Sequence, residues 1–155
     1  MTVTFYILLA QQDEKAKDRT LIKLMEKMME RHERVLILTE TRERAIFLDQ
    51  LLWTYTPLSF LPHGLEGDDS SEDQPLWITS TPNNANKAGV LVLDGIVPNP
   101  TVLPFWNSFG RIVSFIKAFE IELYRPVFEH LAADPRYALS CWQQSATSWV
   151  PKDRL

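Results

Sequence analysis

An α/β fold with a mostly parallel sheet is predicted by three observations on this 155-residue chain. Short, nearly continuous apolar runs recur along it, segments of helical period lie between them, and the composition supports one full core. The runs read as strands covered on both faces. Strands separated by helices imply parallel pairing with right-handed crossovers, with helices flanking the sheet. With 45% apolar and 11% aromatic residues and a net charge of only -4, the chain is a packed globule rather than a disordered segment. A chain of this size buries about 70% of its unfolded surface, so a single domain over 1–150 is expected. Residues 151–155 read as a tail, within a loosely held end from Trp149 to Leu155.

The elements follow in order. Val3 to Leu9 is apolar and β-branched, as a buried strand requires. Leu21, Leu24, Met25 and Met28 recur at three and four residues with Lys23, Glu26, Lys27 and Glu30 between them, an amphipathic helix whose methionines belong to the core. Val35 to Leu38 is a second strand, after which Thr39 or Thr41 caps a helix through Arg44, Phe47, Leu48, Leu51 and Leu52. Leu76 to Thr79, Val90 to Leu93 and Ile112 to Ile116 supply three further strands. From about Glu120 to Trp142 the pattern reads as helix, with Pro126 and Pro135 at breaks or first-turn positions.

Charge and motifs exclude more than they assign. The pI near 5.4 opposes a general nucleic-acid binder, which needs a basic excess to neutralise phosphates. The single cysteine, Cys141, excludes an internal disulfide and favours a reducing compartment. The seven-residue apolar run from Val3, with no basic segment before it, argues against a signal peptide or membrane span, and a cytoplasmic location is expected. Glu66, Asp68, Asp69, Glu72 and Asp73 lack the spacing of a calcium loop and read as a solvated loop. No glycine follows the first strand before Gly64, so a phosphate-binding loop is absent. Asp94 ends VLVLD, the strand-plus-acid element that holds Mg²⁺ in ATPases, but without the partner loop it reads as structural. His32, His63 and His130 lack metal-ligand spacing, no GxSxG elbow occurs, and Cys141, placed in a helical stretch, reads as a small buried hydrophobe. No cofactor and no catalysis are expected.

One feature of the chain is unusual: an apolar, aromatic stretch where a loop belongs. After Trp53 the chain reads TYTPLSFLPHGLEGDD, with Tyr55, Leu58, Phe60 and Leu61 among Pro57, Pro62 and Gly64. Large apolar side chains in a loop either fold back as a core lid or face a partner. Phe105, Trp106 and Phe109 admit the same two readings, with core favoured.

The N-terminal VTFYILL, the strand ERVLILTE followed by RAIFLDQLLW, and the block SFLPHGLEG together resemble the chi subunit family of the bacterial DNA polymerase III holoenzyme. The resemblance covers roughly residues 1–80 and returns weakly at RYALSCW and ATSW. It implies a Rossmann-like three-layer α/β fold and a non-catalytic adaptor of the clamp loader, any polymerase activity belonging to the holoenzyme. It also implies two protein partners, the psi subunit and the C-terminal tail of single-stranded DNA-binding protein, with DNA reached only indirectly and no membrane contact. Psi contact falls on Trp53, Phe60, Pro62 and His63, which turns these aromatics toward the interface reading. An acidic tail ending in a phenylalanine carboxylate requires an apolar pocket beside cations. For it the resemblance offers Arg136 and Tyr137 with Lys117 and Arg125, although Glu129, Ala133 and Asp134 stand where further cations are expected. Two other classes compete with the adaptor: a nucleotide-dependent or other α/β enzyme, and a module that binds single-stranded DNA directly.

Overall fold

The computed structural model describes residues 1–9, 14–55, 61–98 and 103–155. Eight strands form one sheet: β1 (Thr2–Ile7), β2 (Val35–Thr39), β3 (His63–Leu65), β4 (Leu76–Thr79), β5 (Val90–Asp94), β6 (Arg111–Ile116), β7 (Ala138–Gln144) and β8 (Trp149–Lys152). Their order is β3-β4-β2-β5-β6-β1-β7-β8, parallel throughout except for β8, which runs antiparallel to β7. The helices are α1 (Glu14–Glu30), α2 (Arg42–Thr54), the single turn α3 (Leu103–Trp106) and α4 (Ile121–Ala132).

Three layers follow from the two-residue period of the central strands. In β2, Leu36 and Leu38 face one side while Val35 and Ile37 face the other, and all four are buried. Val35 and Ile37 meet Leu21, Ile22, Met25 and Met28 of α1 and Ala45, Leu48 and Leu52 of α2. Leu36 and Leu38 share the opposite core with Trp106, Phe109, and Tyr124 and Leu131 of α4. The second aromatic group therefore resolves as core, with Trp106 and Phe109 sealed from solvent. At the start of α2 the cap is Thr41, whose hydroxyl accepts the Arg44 N–H at 3.1 Å.

The C-terminal third departs from the helical expectation. α4 ends at Ala132, and Asp134-Pro135 stops the chain before it returns as β7, where Phe5 pairs with Cys141 in parallel register. Cys141 and Trp142 are strand residues, not helical ones. The alternation was unreadable because β7 lies next to the sheet edge and buries only Cys141 of its seven residues. The end from Trp149 is likewise anchored rather than loose. β8 pairs with β7 from Cys141↔Lys152 to Gln144↔Trp149, and the Leu155 side chain is buried in the α4 core.

Strand β3 is also unannounced in sequence, being three residues with a central glycine. Gly64 pairs with Trp77, and a Cβ at this position would lie 2.7 Å from Cζ3 of that buried indole. Only glycine lets β3 lie flat against Trp77. No helix among the described residues is long and apolar enough to cross a membrane.

Candidate functional site

The first candidate surface stands at the β3 edge. Trp53 projects from the last turn of α2 and remains 56% exposed, yet its ring lies 4.8 Å from that of His63 at 53°. His63 is buried, with Nδ1 donating to the Leu61 carbonyl at 2.6 Å and Nε2 lying 3.1 Å from Asp49 Oδ1, off the line of a straight hydrogen bond. Asp49 and Trp53 are one helical turn apart, so one face of α2 presents both to the imidazole. Pro62 is exposed beside it, while Leu61 is buried in the α2 core. The structure thus brings Trp53, Pro62 and His63 together; Phe60, with 56–59, lies outside the described residues. The stretch divides by residue: Leu61 serves as core and Trp53 faces out. Asp49 was missed because nothing in sequence links it to a histidine fourteen residues on.

The second set, Lys117, Arg125, Arg136 and Tyr137, is not gathered. Lys117 follows β6 ahead of α4, whereas Arg136 follows α4, and that twelve-residue helix spans about 18 Å. Arg125 and Tyr137 do line one open cavity of about 620 Å³, with Phe128, Leu139 and Leu155. In it Arg125 donates through Nη1 to the Leu155 carbonyl at 2.6 Å. Each cation of the set already holds a carboxylate. Lys117 pairs with Glu14, Arg125 with Glu122 at 2.6 Å, and Arg136 with Asp134 at 2.6 Å while its guanidinium lies 5.7 Å from the Tyr137 ring centre. The hydrogen bonds from Arg136 hold the Asp134 carboxyl down at about 2. Glu129 and Ala133 also line the cavity, whereas Asp134 is not part of its lining.

A third cluster occupies the carboxyl ends of β2 and β5, where open α/β sheets place ligands. Asp94 is buried and accepts from Arg44 Nε at 2.7 Å and from Lys17 Nζ at 3.1 Å, and Arg44 Nη2 reaches Asp18 at 2.5 Å. Burial pushes the Asp94 carboxyl up, but Arg44 and Lys17 outweigh it and hold it below its ordinary value. Two cations and two carboxylates cancel, so both Asp94 oxygens are engaged inside the fold and neither is presented to a metal-phosphate. This bears out the structural reading of Asp94. Burial also drives the Cys141 thiol up to about 11, which keeps it protonated and a poor nucleophile. Among the described residues no group of three His, Cys, Asp or Glu is placed to hold a metal ion.

The family described as DNA polymerase III chi subunit, HolC, matches residues 1–134. A protein of Rickettsia prowazekii (strain Madrid E) named probable DNA polymerase III subunit chi is 35% identical over 75 residues, 48% of this chain. The match spans about half of that relative, 46% of its length.

Proposed function

The chain belongs to the DNA polymerase III chi subunit family, and from that premise we propose that it is a non-catalytic adaptor of the clamp-loader assembly, joining the psi subunit to the C-terminal tail of single-stranded DNA-binding protein. The observation that carries the proposal is Trp53, a large aromatic left more than half exposed on a rigid helix and braced by a buried His63. Tryptophan held this way has the chemistry of an interface anchor, burying a large area at little entropic cost. Psi takes the face built by Trp53, Pro62 and His63, with Phe60 in the same block. The tail takes the cavity of Arg125 and Tyr137, where an apolar side chain, Leu155, already lies with its carbonyl on a guanidinium. A partner residue with an apolar side chain and a carboxylate would repeat that contact in its place. Joining two partners in one domain raises the effective concentration of the clamp loader on coated strands, with no chemistry of its own.

The proposal is tested by titrating the chain with purified psi and with a peptide of the tail. Trp53→Ala is expected to weaken psi binding about thirtyfold, the loss of a 2 kcal/mol anchor, with the melting temperature almost unchanged. Arg125→Ala is expected to weaken only the tail peptide. If the unaltered chain retains neither partner, the adaptor reading fails.

A further inference from the structure

A groove on the opposite end of the sheet is assigned no role by the adaptor reading. Beyond α1, no further helix among the described residues covers the side of β1, β7 and β8 that faces α1. Tyr6 of β1 stacks on Phe115 at 5.6 Å and meets Trp149 of β8 edge-on at 5.0 Å, forming an aromatic floor to a cavity of about 200 Å³. Lys23, Lys27 and Arg31 stand at four-residue steps along the wall, one face of α1 and the turn after it, and Arg111 closes the end. Among the described residues no acidic side chain lines the cavity. Arg111 has Glu33 at 3.4 Å, whereas Lys23, Lys27 and Arg31 have no carboxylate within 4 Å among the described residues. Lys17, Arg42, Arg44, Lys117, Arg125 and Arg136, by contrast, are each paired.

We propose that this groove docks an acidic peptide segment bearing one large apolar side chain. The unpaired cations supply charge complementarity on a protein whose net charge is -4. The floor offers an apolar seat, and about 200 Å³ is smaller than the roughly 300–1,000 Å³ of small-molecule sites, the size of one anchor. A nucleic-acid strand fits less well. Four cations are fewer than the roughly 6–10 phosphate contacts of a salt-sensitive DNA binder. The inference goes beyond the adaptor reading and stands if that reading falls.

The probe is a short peptide of aspartates flanking one phenylalanine, fluorescently labelled and blocked at its free end, so that it offers no terminal carboxylate to the Arg125 cavity. Saturable binding that weakens with added salt is expected, with carbodiimide cross-links mapped by mass spectrometry to Lys23 and Lys27. Lys23→Glu with Lys27→Glu is expected to cost about tenfold in affinity; both residues are exposed, so the melting temperature should stay the same. Trp149→Phe should retain binding and replacing the peptide's phenylalanine with glycine should lose most of it. Absence of saturable binding, undiminished binding by the double variant, or an oligothymidylate that binds more tightly and displaces the peptide would each overturn the proposal.

Discussion

Asp94 shows how one residue changes meaning between sequence and structure. VLVLD carries a strand-end acid that in other folds holds a metal, yet here Lys17 and Arg44 take both its oxygens. Removing one partner of a buried ion pair leaves an uncompensated charge, so Asp94→Ala is expected to lose about 3–5 kcal/mol in chemical denaturation. The pH dependence has a definite sign. A carboxyl held below its unfolded value near 3.9 contributes its full stability above that pH and loses it as pH falls through the lower folded value. Melting temperature should therefore drop below about pH 4, and less steeply in Asp94→Ala than in the unaltered chain. Cys141 gives a second test at this scale. A buried thiol raised to about 11 should resist iodoacetamide at neutral pH until the chain unfolds; rapid labelling of the native protein would place it at an open site.

At the scale of elements, the informative cases are those that sequence pattern misses. β3 is short and carries Gly64, whose role is set by Trp77 across the ladder. Gly64→Ala drives a methyl into that indole and is expected to cost about 1–3 kcal/mol, read as a lowered denaturation midpoint. The same substitution at exposed Gly89, with nothing within 4 Å of its Cβ, should cost far less. The α2 start was legible: Thr41 caps the helix as its position before the apolar period indicates, and Thr41→Ala should cost about 1 kcal/mol. β7 and β8 were not legible. A strand beside the sheet edge with one face uncovered carries no alternation strong enough to read, and its register comes from pairing with Phe5 and its neighbours in β1. Leu155 is the tertiary consequence, since β8 delivers it into the α4 core. Leu155→Ala is accordingly expected to destabilise the fold by about 2 kcal/mol or more, whereas a loose tail would tolerate it.

Across the whole molecule, charge is arranged by surface rather than in bulk. The net charge of -4 hides three regions: a self-cancelling buried network at the strand ends, a C-terminal cavity where Arg125 is paired with Glu122, and an α1 groove where Arg111 is paired but Lys23, Lys27 and Arg31 have no carboxylate within 4 Å among the described residues. Lys117, Arg125 and Arg136 were singled out because each is a cation near the RY pair. Glu122 and Asp134 stand three and two residues from Arg125 and Arg136, within reach of a local reading, but Glu14 does not stand near Lys117 in sequence. Lys117 lies 103 residues from its carboxylate, and no local pattern reports such a pair. Among the psi-contact candidates, Trp53, Pro62 and His63 are adjacent because α2 and β3 are neighbours on one edge of the sheet. Phe60 lies outside the described residues.

Taken by itself, the sequence determined the α/β class, the central strands β1, β2, β4, β5 and β6, both long helices of the first half, and through SFLPHGLEG the family. These are properties of local period and of contiguous motif, which hydrophobic burial writes directly into the order of residues. The tertiary structure alone decided the pairing of β7 and β8, the partners of Asp94 and Lys117, and which aromatic faces solvent. Those depend on contacts between residues far apart in the chain, where a charge or an indole takes its role from what the fold sets beside it.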